Sequence, residues 1–201
     1  MKRSFSTMTL SEAMQLVPAD RLIRWEIPGK PRPLSDTVRE YLQRLQVFDL
    51  ENTEAAKLLI IDALLADAVP NHPHLKVWKA MPLETDTLTG IADYIFAPDY
   101  AYLKTPLLCA VEAGCPLGGD DFVQGRAQCI AEMVACRWNN LKDAHSRTIY
   151  GIVSNGQTWQ FYRLSEESEI AESSPYNTTD LPSLLGALDH VCALCARDLA
   201  V

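Results

Sequence analysis

No stretch of this 201-residue chain is long and apolar enough to cross a membrane; the longest candidate, AAKLLIIDALLADAV, is broken by Lys57, Asp62 and Asp67. Basic residues are few: 18 Lys and Arg stand against 26 Asp and Glu, a formal net charge of −8. A dedicated nucleic-acid binder carries a basic stripe, whereas here basic residues come in small groups, such as Lys76 with Lys79 or Arg21 with Arg24. The acidic balance weighs against a nucleic-acid partner without excluding a local basic groove. There is no internal repeat and no low-complexity tract. The opening MKRSFSTMTLSEAMQLV starts basic but has no unbroken apolar core, so it does not read as a secretory signal, and the expected compartment is the cytoplasm.

Paired zinc spacing is also missing. Six cysteines in a reducing compartment are expected as thiols. Cys192 and Cys195 form a single CxxC, two residues after His190, and a structural zinc site needs a second ligand pair. Cys109, Cys115, Cys129 and Cys136 do not provide one. In HVCALCARDL the two thiols fall on one side of a helix and read as small core residues, with metal binding as the alternative. His72 and His74, in the Pro-bounded NHPH, read as a loop.

What remains is a soluble globular composition, 48% hydrophobic and 22% charged, in a length suited to one domain. The sequence divides it into an N-terminal arm with a short helix (1–50), a core (51–164), and a polar loop with a C-terminal helix (165–201). WEIPGKPRPL reads as an extended arm or loop, and Asp36 as the cap of a helix over TVREYLQRLQV. A second helix, capped by Asn52 or Thr53 with Glu54 in its first turn, runs to about Val69. Leu58, Ile61, Leu65 and Ala68 form its apolar stripe, widened by neighbours enough to bury most of it.

Residues 75–84 and 88–97 are strand-like and joined as a hairpin, and LLCAVEA (107–113) suits a central strand covered on both faces. DDFVQGRAQCIAEMVACRWNN is a helix that Asp120 can cap. Phe122, Cys129, Met133 and Cys136 make its inner stripe, and Gln124, Gln128 and Glu132 line another face. TIYGIVSNGQTWQFYRL is a hairpin around Asn155-Gly156, the pair favoured by a type I′ turn. SEESEIAESSPYNTTD is a polar surface segment, and LPSLLGALDHVCALCARDL closes the chain as a helix. The expected order is helix, three strands, helix, two strands, helix.

Two of these strands carry a carboxylate. By alternation Asp93 shares a face with Ile91 and Ile95, and Glu112 with Ala110 and position 114. Carboxylates on apolar strands are costly unless compensated. A divalent cation such as Mg²⁺, which takes hard oxygen ligands and often only one or two carboxylates, is the natural partner. It would polarise a phosphoryl oxygen and activate a bound water.

The order G-x-x-D on one strand, an E-x-K strand next, then a helix with glutamine, resembles the PD-(D/E)XK (restriction-endonuclease-like) nuclease superfamily. One branch of it shows VEAK, DF, GxxQCxAEM, YGIV and WxF in order. Here stand VEAG at 111–114, DF at 121–122, GRAQCIAEM at 125–133, YGIV at 150–153 and WQF at 159–161. The resemblance covers roughly residues 50–164. It implies an α/β (α+β) fold with a mixed central sheet flanked by helices. It also implies Mg²⁺ as cofactor, held by Asp93, Glu112 and the Ala113 carbonyl, with Glu54 as an additional carboxylate. Gln128, or alternatively Gln124, would be the helix glutamine.

The departure is at Gly114, where that family has a lysine. Such a group is worth about 10²- to 10⁴-fold in rate. Arg126 or Lys79 could replace its charge, although an arginine supplies charge without serving as a base. In KVWKAM, Val77, Lys79 and Met81 share one face by alternation, so the direction of Lys79 decides its part. The first functional expectation is a nuclease-fold protein with an incomplete catalytic set, binding nucleic acid or protein. The second is an active Mg²⁺-dependent endonuclease using Arg126 or Lys79. A third places a protein partner or a second copy on the N-terminal arm.

Overall fold

The computed structural model describes residues 2–18, 21–50, 53–113 and 119–199, without the side chains of residues 54 and 119–121. The elements in chain order are β1 (Arg3–Ser4), α1 (Leu10–Gln15), β2 (Ile23–Trp25), α2 (Asp36–Leu45), α3 (Glu54–Ala68), β3 (Leu75–Glu84) and β4 (Leu88–Pro98). Then follow β5 (Cys109–Ala113), α4 (Gly119–Lys142), β6 (Ile149–Ser154), β7 (Thr158–Leu164), β8 (Ile170–Ser173), β9 (Tyr176–Asn177) and α5 (Leu181–Leu199). Among the described residues nine strands form one mixed sheet ordered β1-β4-β5-β6-β7-β8-β2, with β3 on β4 and β9 on β7. The expected mixed sheet flanked by helices is therefore present.

Strand β5 is central: it runs antiparallel to β4 and parallel to β6. Its short apolar run is covered twice, as such a strand requires. Val111 and Ala113 pack with Ile61 and Leu64 of α3 and Leu184 and Leu188 of α5. Ala110 packs with Ile130 and Met133 of α4. Helix α4 lies close to the sheet because residue 151 is glycine. A Cβ there would strike Met133 Sδ and stand 2.9 Å from Cys129 Sγ. Cys129, Met133 and Cys136 are buried as the stripe predicts, with Phe122 half-buried against the same core.

Several expectations are corrected. Ser35, not Asp36, caps α2, its hydroxyl accepting from the Val38 N–H. Thr53 is the cap of α3, accepting from Ala56 N–H at 3.2 Å; Asn52 lies outside the described residues. Asp120 falls inside α4 rather than at its cap. In the β6–β7 hairpin Ser154 faces Trp159, so Asn155 and Thr158 flank a turn centred on Gly156 and Gln157. Only Gly156 has positive φ (87°), as a II′-like turn requires at its first central position. Asn155 serves through its side chain, accepting from the N–H groups of Gln157 and Thr158. Residues 165–180, expected as surface loop, contribute β8 and β9, and the arm contributes β1, α1 and β2.

The arm is seated on its own domain. A Cβ on Gly29 would strike the Gly186 carbonyl, and one on Gly186 the Lys30 carbonyl, so the arm crosses α5 at a point where both chains are glycine. Arg32 then reaches Asp67 of α3 at 2.7 Å. His72 joins the same region, 3.1 Å from Asp189 of α5. Cys192 and Cys195, on the inner face of α5, are wholly buried, and burial pushes both thiols up.

Candidate functional site

The β4–β5 ladder pairs Phe96 with Cys109, Ile95 with Ala110 and Tyr94 with Val111. Asp93 and Glu112 occupy the next facing positions, where that ladder ends. Both are half-buried. Asp93 carries the ladder one step further with its side chain, as Oδ2 accepts the Ala113 N–H at 2.8 Å. An extended residue presents its N–H and C=O on one edge of the strand, so the Ala113 carbonyl also leaves β5 on the Asp93 side. The three groups that the sequence nominated for a metal are thus neighbours.

Helix α4 covers this end of the sheet with a polar pair. Gln128 donates to Glu132 Oε1 at 3.1 Å. Glu132 is fully buried, and its Oε2 makes no hydrogen bond. Burial holds its carboxyl well above the ordinary carboxylate range; the Gln128 hydrogen bond opposes this and the nearby Asp93 charge adds to it. Burial thus favours the neutral acid over the carboxylate at Glu132. The sequence reading had it on a polar helix face. The signal that it missed was a lone carboxylate in AEMVAC, flanked by small and apolar residues.

The two candidate cations lie elsewhere. Lys79 Nζ is 2.6 Å from Asp62 of α3 and 5.0 Å from the Tyr94 ring centroid. Tyr94 packs in the α3–α5 core, on the opposite side of the sheet from α4. Its hydroxyl also donates to Asp62, at 2.8 Å. The face-sharing expected in KVWKAM breaks after Lys79. Ala80 takes φ 53°, and Met81 joins Trp78 against the α4-side core. Arg126 pairs with Glu172 of β8 at 3.4 Å and meets the Tyr162 hydroxyl, two strands away from β5. Gln124 is structural, donating to the carbonyls of Ser6 and Met8 in the N-terminal segment at 3.1 and 3.0 Å. Gly114 lies outside the described residues, as does the side chain of Glu54.

No protein-family model matches this chain, and no curated protein does. The site must be read from its own chemistry. Among the described residues no group of three or more His, Cys, Asp or Glu is gathered to hold a metal. The donor set is two carboxylates, Asp93 and Glu112, and the Ala113 carbonyl; burial of Glu132 disfavours its charged form and keeps it out of that set. That set fits a hard cation that keeps most of its waters, as Mg²⁺ does. It does not fit a closed zinc-type site.

Proposed function

We propose that this chain is a nuclease-fold protein with an incomplete catalytic set, which binds nucleic acid through a divalent cation and cleaves it slowly or not at all. The observation that carries the reading is the juxtaposition of Asp93 and Glu112 where the β4–β5 ladder ends, with Asp93 tied to Ala113. Asp93, Glu112 and the Ala113 carbonyl would hold Mg²⁺, which when bound supplies Lewis-acid activation of a phosphoryl oxygen. Gln128 would keep Glu132 in place beside them. An active endonuclease using Arg126 or Lys79 draws no support from either side chain, since Glu172 and Asp62 engage them.

The test is cleavage of supercoiled plasmid, single-stranded DNA and RNA with Mg²⁺ or Mn²⁺, beside Asp93→Ala and Glu112→Ala. The reading predicts no cleavage, or slow cleavage that both substitutions abolish. Rapid turnover dependent on both carboxylates would establish a competent nuclease instead.

A further inference from the structure

Among the described residues Lys57 is the one basic residue that the fold buries, at 6% exposure. It stands on the sheet-facing stripe of α3, one turn before Ile61 and in line with Leu64, Leu65 and Ala68. A lysine there is costly unless its ammonium meets an anion or emerges into water. Asp62 takes Lys79 as its partner, and among the described residues no hydrogen bond or ion pair engages the Lys57 ammonium.

Two contacts fix the height of Lys57 on the sheet. Asp62 accepts from Tyr94, which faces Val111, and Asp93 and Glu112 lie one residue further along those strands. Lys57 is five residues before Asp62, about 7.5 Å up the helix axis. At the other contact, a Cβ built on Gly156 would lie 3.4 Å from both Lys57 Cβ and its carbonyl oxygen. Gly156 follows Ser154, which pairs with Ala113. Lys57 therefore sits beside the ends of β5 and β6, level with the two carboxylates but over the α3 face. Asp93 and Glu112 alternate toward the α4 face, so a ligand that meets both Lys57 and the carboxylates lies across the end of β5. Helical side chains lean toward the helix N-terminus, which directs the four-carbon stem toward that end of the sheet.

The geometry points to Lys57 as the phosphate-binding cation of this site: from α3 it holds a non-bridging oxygen of a nucleic-acid phosphodiester that also meets the cation on Asp93 and Glu112. This rests on the metal-site reading above. It accounts for a buried lysine that the core does not need, and it brings positive charge to the end of β5, where Gly114 brings none.

Lys57→Met keeps the stem and removes the charge; Lys57→Arg keeps the charge. The probe is a fluorescently labelled single-stranded oligodeoxynucleotide, titrated by anisotropy with Mg²⁺ and with EDTA, against these variants and Glu112→Gln. Wild-type binding is expected to require Mg²⁺ and to vanish in Glu112→Gln. Lys57→Met should weaken it about tenfold to a hundredfold, while Lys57→Arg retains most of it. Lys57→Met should also melt higher than the wild type, because no buried charge remains. Mg²⁺-dependent binding that Glu112→Gln abolishes but Lys57→Met leaves at wild-type strength would overturn the assignment of Lys57 alone. Absent binding, or binding that ignores Mg²⁺ or survives Glu112→Gln, would remove the metal-site reading and this assignment together.

Discussion

Ala113 donates its backbone N–H to the Asp93 carboxylate at 2.8 Å, one step past the last rung of the β4–β5 ladder. A side chain has taken over a bond that backbone makes elsewhere in the sheet. The carboxylate therefore has a structural task as well as the proposed metal-binding one, and substitution separates them. Asp93→Ala should lose about 1–2 kcal/mol of stability by orphaning the Ala113 N–H, together with Mn²⁺ affinity. Asp93→Asn keeps an acceptor oxygen, so its urea midpoint should stay near the wild type while Mn²⁺ binding still falls.

Glu132 gives the protein a pH dependence of defined sign. Its folded-state pKa is raised, chiefly by burial, above the ordinary value of 4.5. The unfolded chain releases this proton first, so the folded state binds more protons in between. The stability it contributes is fully present below about 4.5 and is lost as pH rises toward the folded pKa. Glu132→Gln, neutral at every pH, should flatten that decline. Urea unfolding of both proteins across pH 5 to 9 checks this; parallel curves would show that Glu132 does not titrate abnormally.

Removing Arg32 should loosen the arm. Asp67 is fully covered, and burial raises its pKa, yet hydrogen bonds from Ser35 and the Arg32 guanidinium outweigh this and hold it below the ordinary 3.8. This contribution is present above about pH 4 and is lost as pH falls. Arg32→Ala leaves the carboxylate buried with only Ser35 and should cost roughly 3 kcal/mol. Limited proteolysis should then cut within residues 26–35 faster than in the wild type.

Gly114→Lys restores the residue that the resembled family has there. With the rest of the site intact, Mn²⁺- or Mg²⁺-dependent nicking of plasmid should rise by about 10²-fold or more. A folded variant without any gain would mean that more than the lysine is missing.

The parts of this fold that periodicity controls were legible. The short apolar run of β5, buried on both faces, and the wide stripe of α3 follow from burial. The parts that depend on a partner were not. β1 and β2 have two and three residues and exist through parallel pairing with β4 and β8. β8 hid in a charged segment in which Ile170 and Ala171 are buried. The Asn155-Gly156 pair announced the right hairpin one residue out of register, because Asn155 spends its side chain rather than its backbone on the turn. Alternation put Asp93 and Glu112 on strands that turn out to be neighbours. It could not say which helix Lys79 meets, since that depends on which face α3 covers. A charge inside an apolar helical stretch marks both Glu132 and Lys57; the sequence reading took Lys57 only as a break in that run and placed Glu132 on a polar face.

The central claim is that Asp93 and Glu112 together hold one divalent cation. Titration of Mn²⁺ followed by electron paramagnetic resonance, on wild type, Asp93→Asn and Glu112→Gln, tests it most directly. The account predicts one bound Mn²⁺ in the wild type, displaced by Mg²⁺ and lost in both variants. No bound Mn²⁺ in the wild type, or equal binding in all three proteins, would contradict it.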